Sequence, residues 1–194
     1  MKSGRLEAFS DGVLAIVITI MVLEMKAPEE ITLESLFSVW PVFISYLLSF
    51  IYLGIYWNNH HHLMQATEKV NGTILWANLH LLFWLSLIPF STSWLGENYS
   101  APLPVALYGF ILLMSAIAYR ILEIALIRYH GKEHVLQKAL NKGKKELISM
   151  VLYIISIPAA FINIWLALGC IVFVAILWIV PERKIENLIK EKNE

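Results

Sequence analysis

The chain has 194 residues, of which 58% are hydrophobic and only 15% charged, and its mean hydropathy is +0.65. Soluble globular domains carry about 25% charged residues, so the composition is that of a membrane protein. Basic and acidic residues balance to a formal net charge of zero, which argues against a nucleic-acid partner. The single Cys170 lies within an apolar stretch, which excludes a disulfide framework and a thiolate metal site.

The first apolar segment, residues 6–25, follows Lys2 and Arg5 and has about the length of a signal-peptide core. It runs into "EMKAPEE" rather than a small-residue cleavage site, and is read as a retained spanning helix. A spanning helix needs roughly 20 mostly apolar residues, and three more segments meet that length at 36–57, 73–95 and 103–127. The apolar run from Leu147 to Val180 is too long for one span and short for two. Within it, "SIPAAFIN" supplies Pro158 and Asn163, which divide it into a tight hairpin of spans 146–162 and 164–180. The expected architecture is an all-α integral membrane protein with six transmembrane helices in a single domain covering residues 1–194.

Lysines and arginines set the orientation. Lys2, Arg5 and Lys69 fall on one side, with the loop bearing Arg128, Lys132, Lys138, Lys142, Lys144 and Lys145. Arg183, Lys184, Lys190 and Lys192 follow the last span on that same side. The opposite side has Lys26 among Glu29, Glu30 and Glu34. Both termini are therefore expected in the cytoplasm. Trp40, Trp57, Trp94 and Trp178 fall near span ends, where amphipathic rings prefer to sit. In the tail, Ile185, Leu188 and Ile189 recur at helical spacing, which fits a short amphipathic extension or a solvated tail.

At 100° per residue, Phe9, Gly12, Ile16, Thr19, Ile20 and Leu23 gather on one stripe of the first helix. Such a stripe is a packing seam or a pore lining. Ser10 and Asp11 point elsewhere, Asp11 nearly to the opposite side. An acidic group at the membrane boundary needs a named partner. The candidates for Asp11 are Arg5, the polar cluster "WNNHHHL" after the second span, and Asn78 at a similar depth. A network of Arg5, Ser10, Asp11, a histidine and Asn78 would tie three helix ends together. His60, His61 and His62 are consecutive, so on a helix they point about 100° apart and cannot chelate one ion; no metal site and no cofactor are expected. Arg120 and Glu123, three residues apart in the fourth span, are positioned to pair.

"RLEAFSDG" fits the R-x-x-x-F-S-D signature that heads the first helix in the transmembrane protein 175 family, a family of potassium-permeable channels. "YWNNHH" resembles the family's W-x-x-H-H pattern, and "NLHLLFWLSLIPF" resembles its N-L-x-x-L…P-F stretch. The resemblance covers about the first half of the chain. It implies a homotetramer, as in prokaryotic members with six helices and one copy of the signature, in which the first helix lines a central pore. By offset from Asp11 the narrowest hydrophobic constriction falls on Ile16, with Thr19, Ile20 and Leu23 continuing the lining. Potassium and other monovalent cations would be the permeant partners, within the plasma membrane of a prokaryote. Phe9, His60, His61 and Asn78 join Arg5, Ser10 and Asp11 as the signature polar network. No TVGYG-like loop occurs in the chain, so a carbonyl filter is not expected. The alternative reading is a secondary transporter or proton pathway that titrates Asp11 and the His60–His62 cluster; no nucleophile–base constellation points to an enzyme.

Overall fold

The computed structural model describes residues 3–28, 30–131 and 144–179. Lys2, Glu29, Val180, most of the basic loop after Gly131 and the basic tail lie outside the described residues, as does the amphipathic extension expected there. The described chain is helical: α1 Ser3–Leu23, α2 Leu33–Ser38, α3 Trp40–Gln65, α4 Gly72–Ser86, α5 Ile88–Glu97, α6 Pro102–His130, α7 Lys144–Ile162 and α8 Ile164–Ile179.

Local chemistry explains the boundaries. Thr32 caps α2 by accepting from Ser35 N at 3.1 Å, and Asn71 caps α4 by accepting from Ile74 N at 3.0 Å. Asn163 separates α7 from α8, its Oδ1 accepting from Trp165 N at 2.9 Å; Pro158 lies inside α7 and does not end it. The expected third span is divided at Leu87 into α4 and α5. Pro89 lacks the N–H that would continue the ladder and clashes with the turn before it. The expected second span differs more. A short α2 and a break at Val39 precede α3, which then runs through the whole polar cluster to Gln65.

Five segments are long and apolar enough to cross a membrane: Ser3–Leu23, Trp40–Gln65, Gly72–Glu97, Pro102–His130 and Lys144–Ile162. The sixth apolar helix, α8, is described over 16 residues. That is about 24 Å at 1.5 Å per residue, against a hydrocarbon core of roughly 30 Å.

α6 lies at the centre and packs on α4, α5, α7 and α8, while α1 packs on α3, α4 and α5. Two glycines mark close approaches, as small residues do between membrane helices. A Cβ at Gly96 would stand 2.8 Å from Val42 Cα, and one at Gly109 would stand 2.8 Å from Ser156 Oγ. Hydroxyls join the buried elements. Ser49 Oγ lies 2.7 Å from Thr92 Oγ1 and 2.8 Å from Tyr108 OH, linking α3, α5 and α6.

Candidate functional site

The two faces of α1 have different fates. Leu6, Ser10, Leu14, Val17 and Met21 are buried against the bundle. They recur at three- and four-residue spacing and form one narrow seam. Phe9, Gly12, Ile16, Thr19, Ile20 and Leu23 are all exposed. Ile16 is 59% exposed and Leu23 78%. The stripe drawn from helical spacing is therefore an exposed face of α1 among the described residues. An open groove flanks it, formed by Val13, Ile16 and Ile20 of α1 with Pro89, Phe90 and Trp94 of α5. Glu24 and Glu97 stand at the end of this groove remote from the N-terminus.

Thr19 Oγ1 donates to Ile16 O at 2.9 Å, within α1. The hydroxyl proton thus points back along the helix, and the oxygen lone pairs remain for a ligand on the exposed side.

The seam carries a directed chain of hydrogen bonds across three helices. Ser10 Oγ donates to Leu6 O at 2.9 Å and accepts from Asn78 Nδ2 at 2.9 Å. Asn78 Oδ1 pairs with His60 Nε2 at 2.8 Å. Because an amide oxygen only accepts, His60 is the donor there and carries its proton on Nε2. Ser10 and Asn78 are fully buried and His60 is nearly so. At that depth an unmade bond is expensive, so the chain fixes both the register and the rotation of α1.

A second row lies beside it. Trp57 Nε1 donates to Asp11 Oδ1 at 3.0 Å, and His61 Nδ1 pairs with Glu7 Oε1 at 2.7 Å. Trp57 and His61 stack with centroids 5.9 Å apart and planes 19° from parallel. Gln65 Nε2 lies 2.9 Å from His61 Nε2. A neutral His61 then donates through Nδ1 to Glu7 and accepts from Gln65 through Nε2. The N-terminal end of α1 is tied too, since Ser3 Oγ donates to Thr67 O at 2.5 Å.

The residues of the expected network separate into three groups. Ser10, His60 and Asn78 meet in one chain; Asp11 and His61 join the parallel row through Trp57 and Glu7; Arg5 and Phe9 are exposed. Arg5 forms no ion pair with a described residue. Sequence reasoning missed Glu7 and the role of Trp57. The signal was available: Glu7 and Asp11 are four apart, as are Trp57 and His61, so each pair shares a helix face. The three histidines face different neighbours, with His62 ring to ring with His61 at 5.8 Å. Arg120 and Glu123 pair at 2.9 Å, far from α1 along the sequence.

Comparison with known proteins places this arrangement. Residues 5–89, which hold the signature and both rows, match the family described as the endosomal/lysosomal potassium channel TMEM175. A potassium channel of Chryseobacterium sp. (strain P1-3) is 54% identical over 191 residues, 98% of this chain and 100% of that protein. A potassium channel of Chamaesiphon minutus is 30% identical, covering 90% of this chain and 92% of that protein. The crystal structure of a lysosomal potassium-selective channel TMEM175 homologue from Chamaesiphon minutus superposes with a TM-score of 0.80 at 30% identity. It covers 91% of this chain and 95% of that one. With the signature, the helical architecture and near full-length likeness in agreement, the chain belongs to the TMEM175 family of potassium channels.

Proposed function

We propose that this protein is a potassium-permeable cation channel of a prokaryotic plasma membrane, assembled as a homotetramer of six-span subunits with cytoplasmic termini. In it, the exposed face of α1 lines the pore, and four copies of Ile16 form its hydrophobic constriction. The observation that carries the reading is the bare stripe. α1 is held by two rows of polar contacts on one side, yet the side bearing Ile16, Thr19, Ile20 and Leu23 stays exposed among the described residues. A lipid-facing helix needs no such rotational lock, whereas a pore helix does.

The chemistry follows from the ring. An apolar collar dewets when narrow and blocks ions, and small helix rotations widen it enough to pass water and a cation. Four Thr19 oxygens, with their protons turned to the backbone, supply ligands just beyond the collar and a modest potassium preference. Glu24, one residue past Leu23, adds negative charge to the far mouth. Selectivity is expected to be weaker than in channels with a carbonyl filter.

The test is purified protein in planar bilayers under opposed potassium and sodium gradients. Unitary current steps with a reversal potential displaced toward that of potassium support the reading. Absence of current steps, with slow coupled flux in vesicles instead, would point to the transporter reading that titrates Asp11 and the histidines.

A further inference from the structure

A second polar site lies away from α1, where α3, α6, α7 and α8 meet. Glu123 of α6 is 2% exposed and accepts from Arg120 Nη1 at 2.9 Å. Ionisable side chains inside a membrane-spanning helix are costly and mark functional sites by default. Around this pair runs a narrow, mostly apolar cavity walled by Tyr56, Tyr119, Tyr153 and Trp178, with Glu146 at its side. Tyr56 and Tyr119 meet edge to face with centroids 6.1 Å apart.

Trp178 already stands beside an alkylammonium. Lys145 Nζ lies 5.9 Å from the centroid of the Trp178 ring, within reach of the ring's negative face. Aromatic faces together with a buried carboxylate are what recognises an ammonium group, while Ile55, Ala116 and Met150 offer apolar wall for a chain. The narrowness suits a straight chain rather than a fused ring.

We propose that this cavity is a binding site for primary alkylammonium ions, with the ammonium between Glu123 and the aromatic faces and the chain along the apolar wall. Its place gives binding a consequence. Tyr56 and Asn59 line the cavity, while on the same turns of α3 Trp57 and His61 bond Asp11 and Glu7 of α1, and His60 bonds Asn78, which in turn holds Ser10 of α1. An occupant pressing on Tyr56 therefore acts on the segment that sets the rotation of α1, and alters current. This second step rests on the channel reading; binding does not.

The test uses full-length protein, n-hexylammonium chloride, and sodium hexanoate as the same chain with opposite charge. Isothermal titration is expected to show saturable binding of hexylammonium and none of hexanoate. Glu123→Gln weakens binding about tenfold or more, as loss of a charged hydrogen bond does. Ala116→Phe, which fills the cavity and keeps the ion pair, abolishes it. Lys145→Met removes a positive charge beside Trp178 and tightens binding several-fold. No saturable binding to the wild type overturns the site. So does binding of hexanoate that Lys145→Met weakens, which would mark a site for anionic amphiphiles. In bilayers, hexylammonium is expected to change open probability in the wild type and not in Ala116→Phe. Binding without a change in current overturns the coupling alone. Binding by a protein that passes no cation current at all overturns the channel reading and supports the site.

Discussion

α6 is wrapped by neighbours, burying residues on several sides from Pro104 to Leu126, whereas α1 fully buries one seam of five residues and leaves the face bearing Ile16 and Leu23 exposed. Both are long and apolar enough to span, so hydropathy alone does not tell them apart. Their polar residues do. On α6 the ion pair of Arg120 and Glu123 is internal to the helix, with the Glu123 carboxylate turned into the bundle. On α1, Glu7, Ser10 and Asp11 reach other helices and bind it on one side. α1 is thus a spanning helix clamped by polar contacts on one face and exposed on the other, which is the asymmetry that the proposed pore-lining role uses.

The sharpest way to break the contrast is to cut the clamp. Asn78→Leu removes the bridge between Ser10 and His60 and leaves the buried Nε2–H of His60 unpaired. A loss of about 2–3 kcal/mol is expected, read as a lower melting temperature and loss of the proposed tetramer in sizing. Full retention of both would show that the chain of bonds does not hold α1.

The wrapped helix fails differently. Gly109→Ala places a Cβ 2.8 Å from Ser156 Oγ, whose hydroxyl donates to Tyr153 O at 2.8 Å. Overpacking of this kind costs about 1–2 kcal/mol, and thermal unfolding should fall while cation permeability stays near wild type. A permeability change larger than the stability change would place α6 in the pore instead.

A weaker cut comes from Trp57→Phe, which keeps the ring over His61 and removes only the bond to Asp11. Polar contacts between membrane helices are worth about 0.6 kcal/mol on average, so a shift of one or two degrees in melting is expected. A shift as large as that of Asn78→Leu would make the outer row the main clamp. Smallest of all, Leu23→Ala on the bare stripe should leave protomer stability within about 0.5 kcal/mol, as surface changes do. A cost of several kcal/mol would mean that the stripe is packed within the subunit.

Parts of this contrast were legible in the sequence for physical reasons. The stripe and its opposite seam follow from the 3.6-residue period, because α1 is uninterrupted by proline. The boundary at Asn163 was legible because asparagine both interrupts an apolar run and caps the next helix. The end of α3 was not. "NNHHH" reads as a loop by polarity, yet it stays helical because His60 and His61 face polar partners on α4 and α1. The kink at Leu87 was signalled by Pro89 but is masked by the apolar residues around it. Arg5 was a poor partner for Asp11 on geometry alone, since six residues of helix separate them by about 9 Å along the axis. The groove between α1 and α5 required tertiary packing and has no sequence mark. The clustering of Tyr56, Tyr119, Tyr153 and Trp178 around Glu123 joins four helices and is likewise invisible in any single window.

If the exposed face of α1 lines the pore with Ile16 at its constriction, single-channel recording of Ile16→Asn decides it. Ile154→Asn serves as the matched control, because Ile154 on α7 is 56% exposed against 59% for Ile16. Ile16→Asn is expected to wet the collar and raise unitary conductance or open probability, while Ile154→Asn leaves both at wild-type values. Unchanged currents in Ile16→Asn, or equal changes in both variants, would contradict it.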